Sequence, residues 1–136
     1  MKMIGRFLLL SLSISSQVSA QSLITRAPER GLIDSYIAQI NYHDLFNSSG
    51  VRLTEPAAII RQDRANYHRF GRRDPLDEGD TFFADAGNRQ ALETMLLNGE
   101  ISLDAAHSII DGGAVIQVEI YGRGPRGDWV EVTVLN

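Results

Sequence analysis

Arg61 to Arg73 holds five arginines, Arg61, Arg64, Arg69, Arg72 and Arg73, against the single acid Asp63. Asp74 to Asp85 then holds Asp74, Asp77, Glu78, Asp80 and Asp85 with no cation. This abrupt inversion of charge is the strongest local signal in the chain, and three kinds of chemistry follow from it. The acidic stretch can fold back on the basic one and neutralise it. The guanidiniums can hold an anion: on a helix Arg61, Arg64 and His68 share a face, Arg72 and Arg73 follow closely, and forked donors suit phosphate, sulfate or carboxylate groups. The acids can bind calcium, because Asp74-x-x-Asp77-Glu78-x-Asp80 offers the hard oxygens this ion prefers, although its spacing departs from the EF-hand loop. The ligand-binding set is therefore Arg61, Arg64, His68, Arg72 and Arg73, and the metal set Asp74, Asp77, Glu78 and Asp80.

Proton-transfer chemistry has fewer candidates. Asp63 shares a helical face with Ile59, Ile60, Tyr67 and Phe70, where a carboxylate needs a partner or a shifted pKa; pairing with a buried arginine is the expected outcome. His43 is expected on the polar face of the first strand and His68 outward among arginines. His107 falls on the apolar stripe of a short helix, as a satisfied core histidine. No H-E-x-x-H or comparable ligand spacing links the histidines, and no serine sits in G-x-S-x-G. Two short motifs carry little information: Arg126-Gly127-Asp128 reads as a solvated hairpin tip, and Asn47-Ser48-Ser49 as a glycosylation sequon that matters only in a eukaryotic secretory pathway.

Whole reaction classes drop out on composition. The 136 residues include no cysteine, which removes disulfides, thiolate nucleophiles and Cys-ligated metal centres. Lys2 is the only lysine. It lies in a stretch, Met1 to Ala20, that reads as a secretory signal peptide: Lys2 and Arg6, a short apolar run from Phe7, then Val18-Ser19-Ala20. That run is far shorter than the roughly 20 residues of a spanning helix. The mature chain then has no lysine for Schiff-base or P-loop chemistry and no membrane span. The net charge of −4 and a basic footprint with interleaved aromatics that is confined to one helix argue against nucleic acid.

These groups need elements to position them. Residues 21–31 read as a polar leader and 32–136 as one domain. Tyr36, Ala38, Ile40 and Tyr42 alternate with Ile37, Gln39, Asn41 and His43, as in a strand. Asn47 to Gly50 is a turn, with Val51 and Leu53 as a short return strand. Thr54-Glu55-Pro56 starts a helix, capped by the threonine hydroxyl, that runs to about Phe70 and stops at Gly71. A second helix spans roughly Thr81 to Leu97, and Ser102 caps a third with Leu103, Ala106, His107 and Ile110 on one stripe. Ala114 to Tyr121 and Trp129 to Leu135 alternate on either side of a Gly/Pro linker, the signature of a β-hairpin. Its second face carries Val115, Tyr121, Trp129 and Leu135, so Tyr121 and Trp129 are the anchors of a partner surface if nothing covers them. The expectation is an α+β domain, about three helices on one face of a small antiparallel sheet.

Function follows partly by exclusion. The sequence reads as an exported, periplasmic or secreted binding module, working by binding and not by catalysis, for an anionic small molecule or polymer or for a protein partner. The alternatives are a hydrolase of envelope or extracellular material, using Asp63, His68 or Asp80, and a calcium-stabilised structural module.

Overall fold

The computed structural model describes residues 29–136; the signal-peptide reading and most of the polar leader lie outside them. The chain forms a small α+β domain. Strand β1 (Gly31–Gln39) leads through a 3-10 turn (Tyr42–Leu45) to helix α1 (Pro56–His68). A loop and a second 3-10 turn (Phe82–Ala84) precede the short helices α2 (Ala86–Gln90) and α3 (Leu92–Asn98). Strand β2 (Glu100–Ile101), helix α4 (Leu103–Asp111) and the hairpin β3 (Val115–Arg123) and β4 (Arg126–Val134) complete it. The sheet order is β1-β3-β4-β2. β1 and β4 flank β3 antiparallel, whereas β2 runs parallel to β4, so two residues make the sheet mixed.

The expected alternation sets the core. Tyr36, Ala38 and Ile40 of β1 and the residue after it, Ile116, Val118 and Ile120 of β3, and Val130 and Val132 of β4 all point inward. They meet Ile59 and Ile60 of α1, Phe82 and Phe83, Leu92 and Met95 of α3, and Ile109 of α4. Burying aliphatic and aromatic side chains at about 25 cal/mol per Å² drives this assembly. The opposite sheet face keeps Ile37, Val115, Tyr121 and Trp129 half-buried and Leu135 exposed. Tyr121 and Trp129 are register partners there. Arg30 covers the Trp129 ring at 4.6 Å and pairs with Asp128 at 3.0 Å.

Several elements depart from their sequence patterns for identifiable reasons. The helix expected over 81–97 is broken, because Asp85 adopts an extended conformation and its carboxylate caps Asn88 N–H, restarting the chain as α2. α1 begins with Pro56 at its first position and Glu55 as the cap, one residue later than the threonine. The return strand shrinks to one bridge, Phe46 to Arg52. α4 is rotated relative to its expected stripe: it docks through Ala105 and Ile109, leaving Leu103 and His107 exposed. His107 is thus a surface residue. Arg126-Gly127-Asp128 lies within β4, not at the tip, and its aspartate is held by Arg30.

One loop governs the first half of the chain. β1 is an edge strand, and residues 74–81 run along its free side. Glu78 N–H donates to Ile37 O (2.8 Å). In return Ile37 N–H donates to Glu78 Oε2 (3.1 Å) and Gln39 N–H to Asp77 Oδ1 (2.8 Å). Asp34 Oδ2 closes the end by accepting Thr81 and Phe82 N–H. Burial works to raise the Asp34 pKa, but the N–H donors of Thr81, Ser35 and Phe82 outweigh it and hold the carboxyl below its ordinary value.

Candidate functional site

The loop explains where the inverted charges go. Asp77 and Glu78 serve the backbone of β1, and Asp80 turns inward, its side chain wholly buried. Asp80 Oδ1 accepts from Arg64 Nη1 (3.0 Å) and contacts His68 Nε2 (2.8 Å), while Oδ2 accepts Phe83 N–H. Arg64 is fully buried. It donates to Asp63 Oδ2 (2.7 Å) and Glu78 O (2.9 Å), and its guanidinium lies 4.0 Å from the Tyr36 ring and 4.7 Å from that of Tyr67. Burial pushes the Asp63 carboxyl up to about 8, against the pull of Arg64. This cluster is the arginine partner expected for Asp63, and it removes Arg64 and His68 from any exposed face.

The remaining cations separate. Arg61 is exposed and lines a groove of about 310 Å³ with Pro56, Ala57, Leu96, Leu97 and Ile101. Arg69 and Arg73 are exposed and stack on Phe70 (5.1 Å) and Tyr67 (4.2 Å). Arg72 turns back at the end of α1, where its N–H donates to Asn66 O (2.8 Å) and Gly71 adopts φ +66°. No carboxylate of the described residues lies within 4 Å of the Arg61, Arg69, Arg72 or Arg73 guanidinium. The acidic loop therefore neutralises the buried arginine and leaves the exposed ones unpaired.

Arg72 faces a cleft of about 540 Å³ between the first 3-10 turn and the C-terminal end of α1. Its apolar walls are Tyr42, Phe46 and Phe70, and its polar lining includes His43, Asn47, Gln62 and Asn66. Tyr42 is 76% exposed and packs at 4.9 Å on Phe46. His43 lies in the 3-10 turn just past β1, not on the strand, because Asp44 N–H donates to Asn41 O and Asn41 N–H to Asp44 Oδ2 (both 3.0 Å), coiling the chain.

Beside the cleft the fold gathers His43, Asp44 and Asp74, one donor atom from each lying within 4.8 Å of the others. Asp44 is buried and accepts from Asn66 Nδ2 (2.8 Å). Asp74 is set by a turn in which Asp77 N–H donates to Asp74 O (3.0 Å) and Asp74 N–H donates to Asp77 Oδ2 (2.7 Å), and its Oδ1 accepts from Asn41 Nδ2 (2.7 Å). Burial raises the Asp44 pKa, while hydrogen bonds from Asn66 and Asn41 and the nearby His43 oppose the rise. Of the four acids read as a calcium set, only Asp74 belongs to this group; Asp77, Glu78 and Asp80 are spent as described. Sequence reasoning missed Asn66 and Gln62 and placed Phe70 only on the apolar face beside Asp63, not in a cleft. Their only signal is helical spacing, Gln62 and Asn66 lying four apart and Phe70 four further on.

No helix of the described residues is long and apolar enough to cross a membrane. Comparison of the chain with protein-family models, with curated proteins and with solved structures gave no match.

Proposed function

We propose that the protein is a non-enzymatic binding domain that takes an anionic ligand with an apolar or planar body into the cleft walled by Tyr42, Phe46 and Phe70. The observation that carries this reading is Arg72: it lines the cleft with no carboxylate of the described residues within ion-pairing distance. A guanidinium in that setting is a ready fork for a carboxylate or phosphate. The volume of about 540 Å³ suits a small ligand, and aromatic walls supply apolar contact while the amides fix orientation. Arg69 and Arg73 stand nearby in sequence on aromatic rings and add positive potential without closing on an acid. As part of the same proposal the domain is exported, on the pattern of residues 1–20.

Thermal unfolding with phosphate, sulfate, an aromatic carboxylate and an anionic oligosaccharide tests this. A ligand at ~100 times its Kd adds about 2.7 kcal/mol to the folded state, on the order of 10 °C in Tm for a domain of this size. The shift should vanish in Arg72→Ala and survive in Arg61→Ala, whose side chain lines a different groove. No shift with any anion, or a shift that persists in Arg72→Ala, overturns the reading.

A further inference from the structure

We propose that His43, Asp44 and Asp74 form a binding site for one divalent transition-metal ion, zinc by donor class. Two buried atoms point to it. His43 Nε2 and Asp74 Oδ2 are both shielded from solvent and both lack any hydrogen-bond partner, and the Asp74 side chain is only 10% exposed. They lie 3.2 Å apart without forming a hydrogen bond. A buried carboxylate oxygen left without a donor costs free energy, and a cation bound between the two removes that cost on both sides.

The separations fit a metal. Two donors each at about 2.1 Å from a tetrahedral ion lie about 3.4 Å apart. His43 Nε2 is 3.2 Å from Asp74 Oδ2 and 3.7 Å from Asp44 Oδ1, on either side of that figure. The surroundings fit too. Asn66 Nδ2 donates to Asp44 Oδ1, and Asn41 supplies N–H to Asp44 Oδ2 and Nδ2 to Asp74 Oδ1, which orients both carboxylates as the outer partners of metal ligands do. One imidazole and two carboxylates suit zinc or a neighbouring first-row ion better than calcium, which takes six to eight oxygens. Three protein donors leave a coordination position for water or a ligand, and His43 also lines the cleft. The site does not rest on the anion-binding reading, since Arg72 donates to neither carboxylate.

The test uses the tag-free chain, stripped with EDTA and dialysed. Zinc titrated against a chromophoric chelator should show one ion bound per chain, and saturating zinc should raise Tm by about 10 °C, reversed by EDTA. Cobalt in place of zinc should give the visible absorption of a four- or five-coordinate site. His43→Ala, at a partly exposed side chain, and Asp74→Asn should each weaken zinc binding by more than about 100-fold while Arg72→Ala leaves it unchanged. Absence of stoichiometric zinc binding by the unsubstituted chain overturns the proposal, as does zinc binding that survives both His43→Ala and Asp74→Asn. A response to calcium but not to zinc also overturns it. Loss of the anion response with retention of zinc binding would sink the anion reading and leave this one standing.

Discussion

Replacing Arg64 by methionine keeps much of the side-chain volume and removes the charge at the centre of the buried cluster. The guanidinium that disappears holds Asp63 Oδ2, Asp80 Oδ1 and Glu78 O, and fills the space between the Tyr36 and Tyr67 rings. Asp80 keeps Phe83 N–H and His68, but Asp63 is 1% exposed and loses the partner that Arg64 Nε supplied. The pair lost here is Arg64 with the wholly buried Asp80 carboxylate 3.0 Å away, since Asp63, its pKa raised to about 8, is mostly protonated at pH 7 and loses a hydrogen-bond donor, not a counter-charge. Removing one member of a buried ion pair costs about 3–5 kcal/mol. In a domain of this length that corresponds to roughly 12–20 °C in Tm, or a fall of about 2–3 M in urea midpoint at a slope near 1.5 kcal/mol per M. Arg64→Lys, which keeps the charge but loses the fork, should fall in between. Arg61→Ala, three residues earlier on the same helix but exposed, should change stability by less than about 0.5 kcal/mol. Urea unfolding at pH 7 followed by Trp129 fluorescence and by far-ultraviolet circular dichroism measures all three. If Arg64→Met costs under about 1 kcal/mol, or no more than Arg61→Ala, the cluster does not depend on a buried cation and this reasoning is wrong.

Asp63 should impose a slope on stability against pH. Its folded pKa is raised to about 8 from an ordinary 3.8, so between those values the folded state keeps a proton that the unfolded chain releases, and stability falls as pH rises, by up to about 1.4 kcal/mol per unit. Asp63→Asn should flatten that fall across pH 5–8 in urea midpoints, and an unchanged slope would assign it to another group. Gly99→Ala should cost more than about 2 kcal/mol, since the added Cβ would run into the Val130 backbone; Gly31→Ala, where a Cβ meets nothing within 4 Å, is the control that should stay near wild type in the same thermal melt.

The hairpin was the most legible part of the chain because its strands bury one face only, so Ile116, Val118, Ile120, Val130 and Val132 recur at period two. α1 was legible because Pro56 accepts only a helix start there. α4 was not: residues 103–110 offer two apolar stripes, and packing selected Ala105 and Ile109. The candidate site was nearly invisible for a different reason. His43 and Asp74 are brought together by the docking of a loop on β1, and no local spacing encodes that contact. Arg64 looked like its four neighbours, because charge patterning along a chain does not reveal which of five guanidiniums the core takes in; the nearest cue was its place three residues before Tyr67 and beside Asp63.

The manner in which β1 is finished gives the sheet a direction. An ordinary edge strand offers the same template to any extended segment, but here the outward amides of Ile37 and Gln39 are already taken by carboxylates and the Ile37 carbonyl by a loop amide. That side is a stopped end. On the other side β2 pairs with Glu131 and Val132 of β4, Asn98 at the end of α3 donates to Asp128 O (3.0 Å), and a groove of about 800 Å³ continues past Thr133 and Val134. An extended segment laid along β1 would find the pairing groups of Ile37 and the Gln39 amide already engaged, so the loop ends the sheet at this edge as a further strand would, without adding one.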